Sequence, residues 1–392
     1  MSDSAYFSTL NPNVQRLPES GIVEVMNAGW DIDGLIPLWA GEGHLPTPDF
    51  ICEAANQSMR NGETFYTWQC GIPELRAALA RYHAGLYEKP FEDEQFFVTG
   101  SGMQAIQIAL QALAEPGSEI IVPTPAWPNF EAAATVAGIT TVEVPMRFGN
   151  RGWQIDLQRI ADAVTSKTRV LFINSPSNPT GWTADLETLR DIRDLARERG
   201  IWIVADEVYN RFYFGADRAP SFYDVLEEGD RILFVNTFSK NWAMTGWRVG
   251  WISAPASLGQ VFENLIQYST SGVAAFMQRA AVAALERGED FLKSQVSTAA
   301  ISRNSISTAL AETGRIQFHE PEGAFYLFFT IDGITDSRGI TLRLLREARI
   351  GLAPGTAFGA GGEPFFRLCF ARNPEDMAEV GDRLNSWLRK NL

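Results

Sequence analysis

One pattern limits this chain more than any other. Between residues 96 and 255, short and nearly continuous apolar runs alternate with stretches of helical periodicity. The runs are FFVTG (96–100), EIIVPTP (119–125), TTVEVP (140–145), RVLFINSP (169–176), WIVADEVY (202–209), ILFVNTFS (232–239) and RVGWISAP (248–255). Val, Ile and Phe dominate them, as expected of strands covered on both faces. Helical segments such as MQAIQIALQAL (103–113) and DLETLRDIRDLARERG (185–200) lie between several of them, and Gly200 stands where a C-cap would precede the next strand. Such alternation predicts an α/β fold built on a doubly wound, mostly parallel sheet. The C-terminal part, from about residue 290, carries EGAFYLFFTI, LLREARIGLAP and FFRLCFA between helices, which predicts a smaller α+β domain beside the first.

A chain of 392 residues can bury two such cores. The formal net charge of −14 argues against a surface that neutralises nucleic-acid phosphates or anionic lipid, so neither nucleic acid nor membrane is an expected partner. Cys52, Cys70 and Cys369 are far apart and form no C-x-x-C pair, so neither zinc spacing nor a disulfide framework is present and no metal is expected. The first twenty residues lack the basic start and apolar centre of a secretory signal, and no apolar run approaches the roughly 20 residues of a membrane helix. A reducing cytoplasm is the expected setting.

Asn174, Asp206, Tyr209 and Lys240 all fall at or just past the ends of strand-like runs, where an open α/β sheet binds its ligand. In FVNTFSKNWAMTGWRVG, Lys240 is flanked by Thr237, Ser239 and Arg248, a set suited to a phosphate monoester beside an amine. Alone, Lys240 reads better as a surface lysine after a strand. Asp206 ends an apolar strand, where a carboxylate is costly unless paired; it suits a pyridinium partner, a metal ligand or a helix cap. Asn178 sits in the turn INSPSNPTGW, an ordinary turn former that could also face a ligand oxygen. FFVTGSGMQAIQIAL joins a strand to a helix start, whose backbone N–H groups bind anions. Gly100, Gly102 and Ala105 match the dinucleotide pattern, but the following strand ends in Thr and Pro with no acid for a ribose, which argues against a nicotinamide dehydrogenase.

Taken together and in order, PLWAGEGHLPTPDF, YTWQCGIPELRAAL, VTGSGMQAI, NSPSNPTGW, VADEVY, TFSKNWAMTGWRVGW and FFRLCFA resemble the fold-type I, class I/II aminotransferases of the aspartate aminotransferase superfamily. The resemblance spans nearly the whole chain. It implies a large domain at 46–285 and a small one formed by 1–45 and 286–392. It implies the cofactor pyridoxal 5′-phosphate, carried as a Schiff base on Lys240, with amino acids and 2-oxo acids as substrates in a ping-pong transamination. Asp206 would pair with the pyridine nitrogen, and Asn178 and Tyr209 would bond the ring oxygen. Trp127, where many relatives have Tyr, would stack on the ring. The phosphate would meet Ser101, Gly102, Met103, Thr237, Ser239 and Arg248, and Tyr66 would reach it from the other subunit of a homodimer. Arg367 would grip the substrate α-carboxylate, with Gly41 close by. Relatives usually read G-x-P-D where this chain has Gly41-Glu42-Gly43-His44, which leaves the roles of Glu42 and His44 open. Met103, where acidic-substrate relatives often carry Lys, points to a neutral or aromatic donor. A lyase, decarboxylase or cyclase on the same fold is the alternative, and a non-catalytic regulator half would need a DNA-binding segment that the roughly 40 residues before the first motif leave little room for.

Overall fold

The computed structural model describes residues 6–392. The first five residues of the stretch read above for signal features lie outside the described residues. The apolar runs form one seven-stranded sheet from β1 (Phe96–Thr99), β2 (Glu119–Thr124), β3 (Thr140–Pro145), β4 (Thr168–Asn174), β5 (Trp202–Asp206), β6 (Ile232–Thr237) and β7 (Gly250–Ser253). Their order across the sheet is β1-β7-β6-β5-β4-β2-β3. The pairs β2–β3, β2–β4, β4–β5 and β5–β6 are parallel, whereas β7 is antiparallel to both β1 and β6. The sheet is therefore the expected mostly parallel α/β sheet with one reversed strand.

Local chemistry places the covering helices. Asp185 caps the helix Leu186–Arg199 by accepting the Thr188 N–H at 2.7 Å, and Gly200 ends it in the left-handed region at φ 67°. Ser101 caps the helix Gly102–Leu113 in the same way, accepting the Gln104 N–H at 3.0 Å. Two buried clusters lie on the two faces of the sheet: Phe97, Ile120, Phe172 and Val204 on one side, Ile121, Leu171, Ile173 and Ile203 on the other. This alternation is what strands buried on both faces require. The expectation fails for β3, the edge strand beside β2, which is half-exposed, whereas β1 at the opposite edge is buried along its whole length.

A second, four-stranded antiparallel sheet contains β8 (Ile316–Phe318), β9 (Tyr326–Ile331), β10 (Ala353–Pro354) and β11 (Phe366–Cys369), in the order β8-β9-β11-β10. The long helices Glu289–Ala311 and Pro374–Asn391 pack together, and both contribute to one apolar core with β9 and β11. The N-terminal segment joins this region: Ile36 and Pro37 pair with Ile350 and Gly351, and the helix Gly21–Gly29 packs on Ser337–Glu347. Among the described residues no helix is long and apolar enough to cross a membrane, no His/Cys/Asp/Glu cluster suits a metal, and the three cysteines are unpaired.

One buried titratable group sits far from the strand ends. His83, on the helix Pro73–Tyr87, is packed among Phe91, Phe96, Tyr223 and Trp251, with ring centroids 4.7–5.8 Å away. Its Nδ1 donates to the Leu79 carbonyl at 2.8 Å, and burial pushes the imidazole down to about 4. An unfolded histidine binds its proton near 6.5, so the unfolded chain holds more protons between about 6.5 and 4. The contribution of His83 is therefore complete above that window and is lost as pH falls through it, by up to about 3 kcal/mol. Buried Asp206 and Glu207, both raised to about 7 chiefly by burial, act in the opposite sense over an overlapping range. Comparison with His83→Phe removes their effect. Urea denaturation should show the parent losing up to about 3 kcal/mol against this variant between pH 6.5 and 4; parallel curves would refute the assignment.

Candidate active site

The carboxyl ends of β4, β5 and β6 open into a cavity of about 450 Å³. Register explains the convergence: Asn174 is paired with Asp206, and Asp206 with Val235, so the three strand ends lie side by side. The strand-end and loop residues picked out in the sequence line this cavity: Gly41, Gly102, Met103, Trp127, Asn178, Asp206, Tyr209, Thr237, Ser239, Lys240, Arg248 and Arg367. Ser101 is buried just behind it as the helix cap. Tyr66 is not brought in; it is 92% exposed, beside exposed Phe65 and Trp68.

Lys240 follows β6 and points inward. Its Nζ donates to the Gly41 carbonyl at 2.7 Å and lies 5.7 Å from the centre of the Tyr209 ring. Burial lowers its amine to about 8, with Arg367 acting in the same direction and the carboxylates of Glu42 and Asp206 against it. A lysine near 8 supplies a neutral amine at physiological pH far more often than an exposed one does. Asp206 is buried, and burial raises its carboxyl to about 7 despite the Val208 N–H at 3.3 Å and the Lys240 charge. Among the described residues no ion pair reaches it. A cationic nitrogen placed against this carboxylate would restore its charge.

Arg367 shows the converse. It is 2% exposed on β11, with Nη1 donating to Asn178 Oδ1 at 2.8 Å and Nη2 to the Trp39 carbonyl. Its guanidinium lies 4.7 Å from the Tyr326 ring centre and 4.9 Å from that of Phe358, and its Nε has no partner. A buried guanidinium with no anion beside it among the described residues can take up a carboxylate. Because Asn178 accepts from Arg367 through its oxygen, its amide N–H groups are the part left to donate.

The third element is an anion cradle. The helix Gly102–Leu113 starts beside the end of β6, where Thr237 and Ser239 place their hydroxyl oxygens 2.9 Å apart. Capping uses the Gln104 N–H, so the Gly102 and Met103 N–H groups, with the helix dipole behind them, are left for a ligand. Arg248 reaches the same cavity from a left-handed backbone (φ 55°), a conformation costly for a residue with a side chain and common at ligand clamps. These residues fit pyridoxal 5′-phosphate: an amine for its carbonyl, a carboxylate for its ring nitrogen and a cradle for its phosphate. Trp127 lines the cavity with no ring stacked on it among the described residues.

Two residues brought in by the fold were not legible beforehand. Tyr326 lies in the apolar run YLFFTI, where a tyrosine reads as core, yet its hydroxyl is 2.7 Å from that of Tyr209. Trp39 lines the cavity and supplies a carbonyl to Arg367; its place in PLWAGEG is the only signal it had. Gly41 is required by close approach, since a Cβ there would occupy the position of the Tyr326 hydroxyl. Glu42 and His44 turn away: Glu42 accepts from the Thr245 hydroxyl at 2.9 Å, and His44 Nδ1 bonds the Ala371 carbonyl at 3.3 Å. Both line a small hollow on another side of Lys240.

An α/β sheet with this lysine, carboxylate and anion cradle at its strand ends, faced by a buried arginine from the second sheet, has the layout of a fold-type I aminotransferase. The chain belongs to the aminotransferase class I and II family, whose model matches residues 34–384. It is 36% identical over 356 residues to an aspartate aminotransferase of Thermotoga maritima, covering 91% of this chain and 92% of that protein. It is 31% identical over 387 residues to aromatic-amino-acid aminotransferase 2 of Thermococcus litoralis, covering 97% and 98%. The crystal structure of aspartate aminotransferase from Thermotoga maritima superposes on it with a TM-score of 0.91 at 34% identity, covering 97% of this chain and 100% of that one.

Proposed function

We propose that this aminotransferase works with pyridoxal 5′-phosphate bound at Lys240 and moves an amino group from a neutral or aromatic amino acid to a 2-oxo acid by a ping-pong mechanism. When bound, the cofactor supplies an electron sink for the pair left behind as a proton leaves the substrate Cα. The observation that carries the reading is the meeting, in one cavity, of an amine with a lowered proton affinity, a buried carboxyl group and a buried guanidinium, neither of them in an ion pair among the described residues. Lys240 holds the cofactor and then, released by the incoming amino group, takes the Cα proton. Asp206 holds the proton of the ring nitrogen, which keeps the ring electron-poor. Asn178 and Tyr209 would donate to the ring oxygen, and Trp127 would offer the ring an aromatic surface. Ser101, Gly102, Met103, Thr237, Ser239 and Arg248 hold the phosphate. Arg367 orients the substrate through its α-carboxylate, with Gly41 alongside.

In the proposed division of the chain, Lys240 and Asp206 belong to 46–285, and Gly41 and Arg367 to the part formed by 1–45 and 286–392. The lysine for the cofactor and the arginine for the substrate would thus come from different parts of the chain. Borohydride reduction of the protein with bound cofactor should label Lys240 alone by peptide mapping, and Lys240→Ala should lose both the label and turnover. A label on any other lysine would overturn the assignment. Transamination should also release 2-oxo acid without free ammonia, up to one equivalent per site without an acceptor and catalytically only with one, unlike a lyase or a decarboxylase.

The choice of donor rests on the lining. Ile22, Val23, Trp39, Met103, Ile106 and Trp127 are apolar, and the only cations among the lining residues are Lys240, Arg248 and Arg367, all with other tasks. A second substrate carboxylate finds no cation from this chain, and leaving it unpaired costs roughly 1.5–3 kcal/mol, about tenfold or more in efficiency. In a donor panel, kcat/KM for leucine, methionine or phenylalanine should exceed that for aspartate by about this factor. Aspartate as the best donor would refute the reading.

A homodimer completes the proposal. Phe65, Tyr66 and Trp68 are 83%, 92% and 62% exposed, an apolar patch that a monomer rarely leaves open. Across a two-fold axis, Tyr66 of the partner subunit would reach the phosphate. In mixed dimers of Lys240→Ala with Tyr66→Phe, the site that keeps Lys240 should bind cofactor as the parent does. Affinity equal to that of the Tyr66→Phe homodimer would place Tyr66 in its own subunit's site, and a fully active monomer would rule the dimer out.

A further inference from the structure

We propose that Tyr326 is a positioning residue for the transfer reaction: its hydroxyl donates to the Tyr209 hydroxyl and so commits Tyr209 to donating its own proton to the ligand in the cavity. The proposal rests on reading that cavity as a pyridoxal phosphate site.

Tyr326 is fully buried at the start of β9, opposite Cys369 of β11. Its side chain crosses from the four-stranded sheet to Tyr209, just beyond the end of β5. The two phenolic oxygens are 2.7 Å apart, and the rings meet edge-on at 86° with centroids 5.5 Å apart. The ring of Tyr326 also lies under the Arg367 guanidinium, and the absence of a side chain at Gly41 makes room for its hydroxyl. A single side chain therefore touches the tyrosine of the cofactor side, the arginine of the carboxylate side and the backbone that receives Lys240.

A phenol has one proton to give and two lone pairs to receive with. In a pair of phenols only one O–H can lie between the two oxygens. If Tyr209 donated to Tyr326, it would have no proton left for a ligand oxygen and could only accept. If Tyr326 donates, Tyr209 is free to donate onward, and the chain of two hydrogen bonds strengthens both. The groups facing Tyr209 are Asp206, Lys240, Arg367, Cys369 and Tyr326. Asp206 accepts from Val208, and Arg367 has only donors. Tyr326 is thus the member of this set bonded to the Tyr209 oxygen.

The readout is the visible absorbance of the cofactor bound at Lys240, followed against pH. A weaker donor at Tyr209 leaves the ligand's ring oxygen more basic, so the protonated form should persist to higher pH. Tyr209→Phe should raise the midpoint most. Tyr326→Phe, which removes only the second hydroxyl, should raise it by a smaller amount, up to about one pH unit or tenfold in proton affinity. The double variant should titrate with Tyr209→Phe, because Tyr326 acts through Tyr209. A fluorinated tyrosine at position 326 keeps the shape and is a stronger donor, so it should move the midpoint down even if Tyr326→Phe does not fold. An unmoved midpoint in Tyr326→Phe, or a full additional shift on top of Tyr209→Phe, overturns the proposal. A parent protein that shows no visible chromophore with pyridoxal phosphate brings down the cofactor reading itself, and this one with it.

Discussion

Among the described residues the buried Arg367 guanidinium has no counter-charge, and much of the molecule is arranged around making that tolerable. Burying an ion without its partner costs several kcal/mol unless hydrogen bonds and polarisable surfaces replace its water. Here the replacement comes from Asn178 after β4, the Trp39 carbonyl near the N-terminus, and the faces of Tyr326 and Phe358. These groups lie far apart in the chain and meet only when both sheets are formed and packed together. The same arrangement leaves Nε unpartnered. The cavity thus contains a buried positive charge that no described residue balances. Asp206, equally buried, poses the mirror-image demand for a cation.

How far all this was legible depends on whether the information is local. The seven strands of the main sheet and the caps at Asp185 and Gly200 follow from short-range patterns, and the chain folds where those patterns point. The exposed face of β3 was not legible, because what covers a strand is decided elsewhere in the chain and not by TTVEVP itself; β1, at the other edge, is buried. The reversal of β7 was hidden for a similar reason, since an apolar run has no intrinsic direction. Residues at strand ends, such as Asp206 and Lys240, were conspicuous because polar groups there interrupt apolar runs. Tyr326 was not, because in YLFFTI its hydroxyl is one polar atom within an apolar segment and its partner is 117 positions away. Tyr66 lies outside the cavity of a single chain, where a residue meant for another subunit would also lie.

The reversal of β7 has a mechanical consequence. Because β7 runs against β6, Gly250 is the direct neighbour of Thr237, and the chain from 238 to 249 leaves and re-enters the sheet at the same rim. A parallel β7 would have sent this segment down the length of the sheet and back through a crossover. Instead Lys240 and Arg248 sit on a closed ring whose two ends are hydrogen-bonded to each other. The backbone that carries Lys240 is thereby anchored to the sheet on both sides, close to where its side chain enters the cavity.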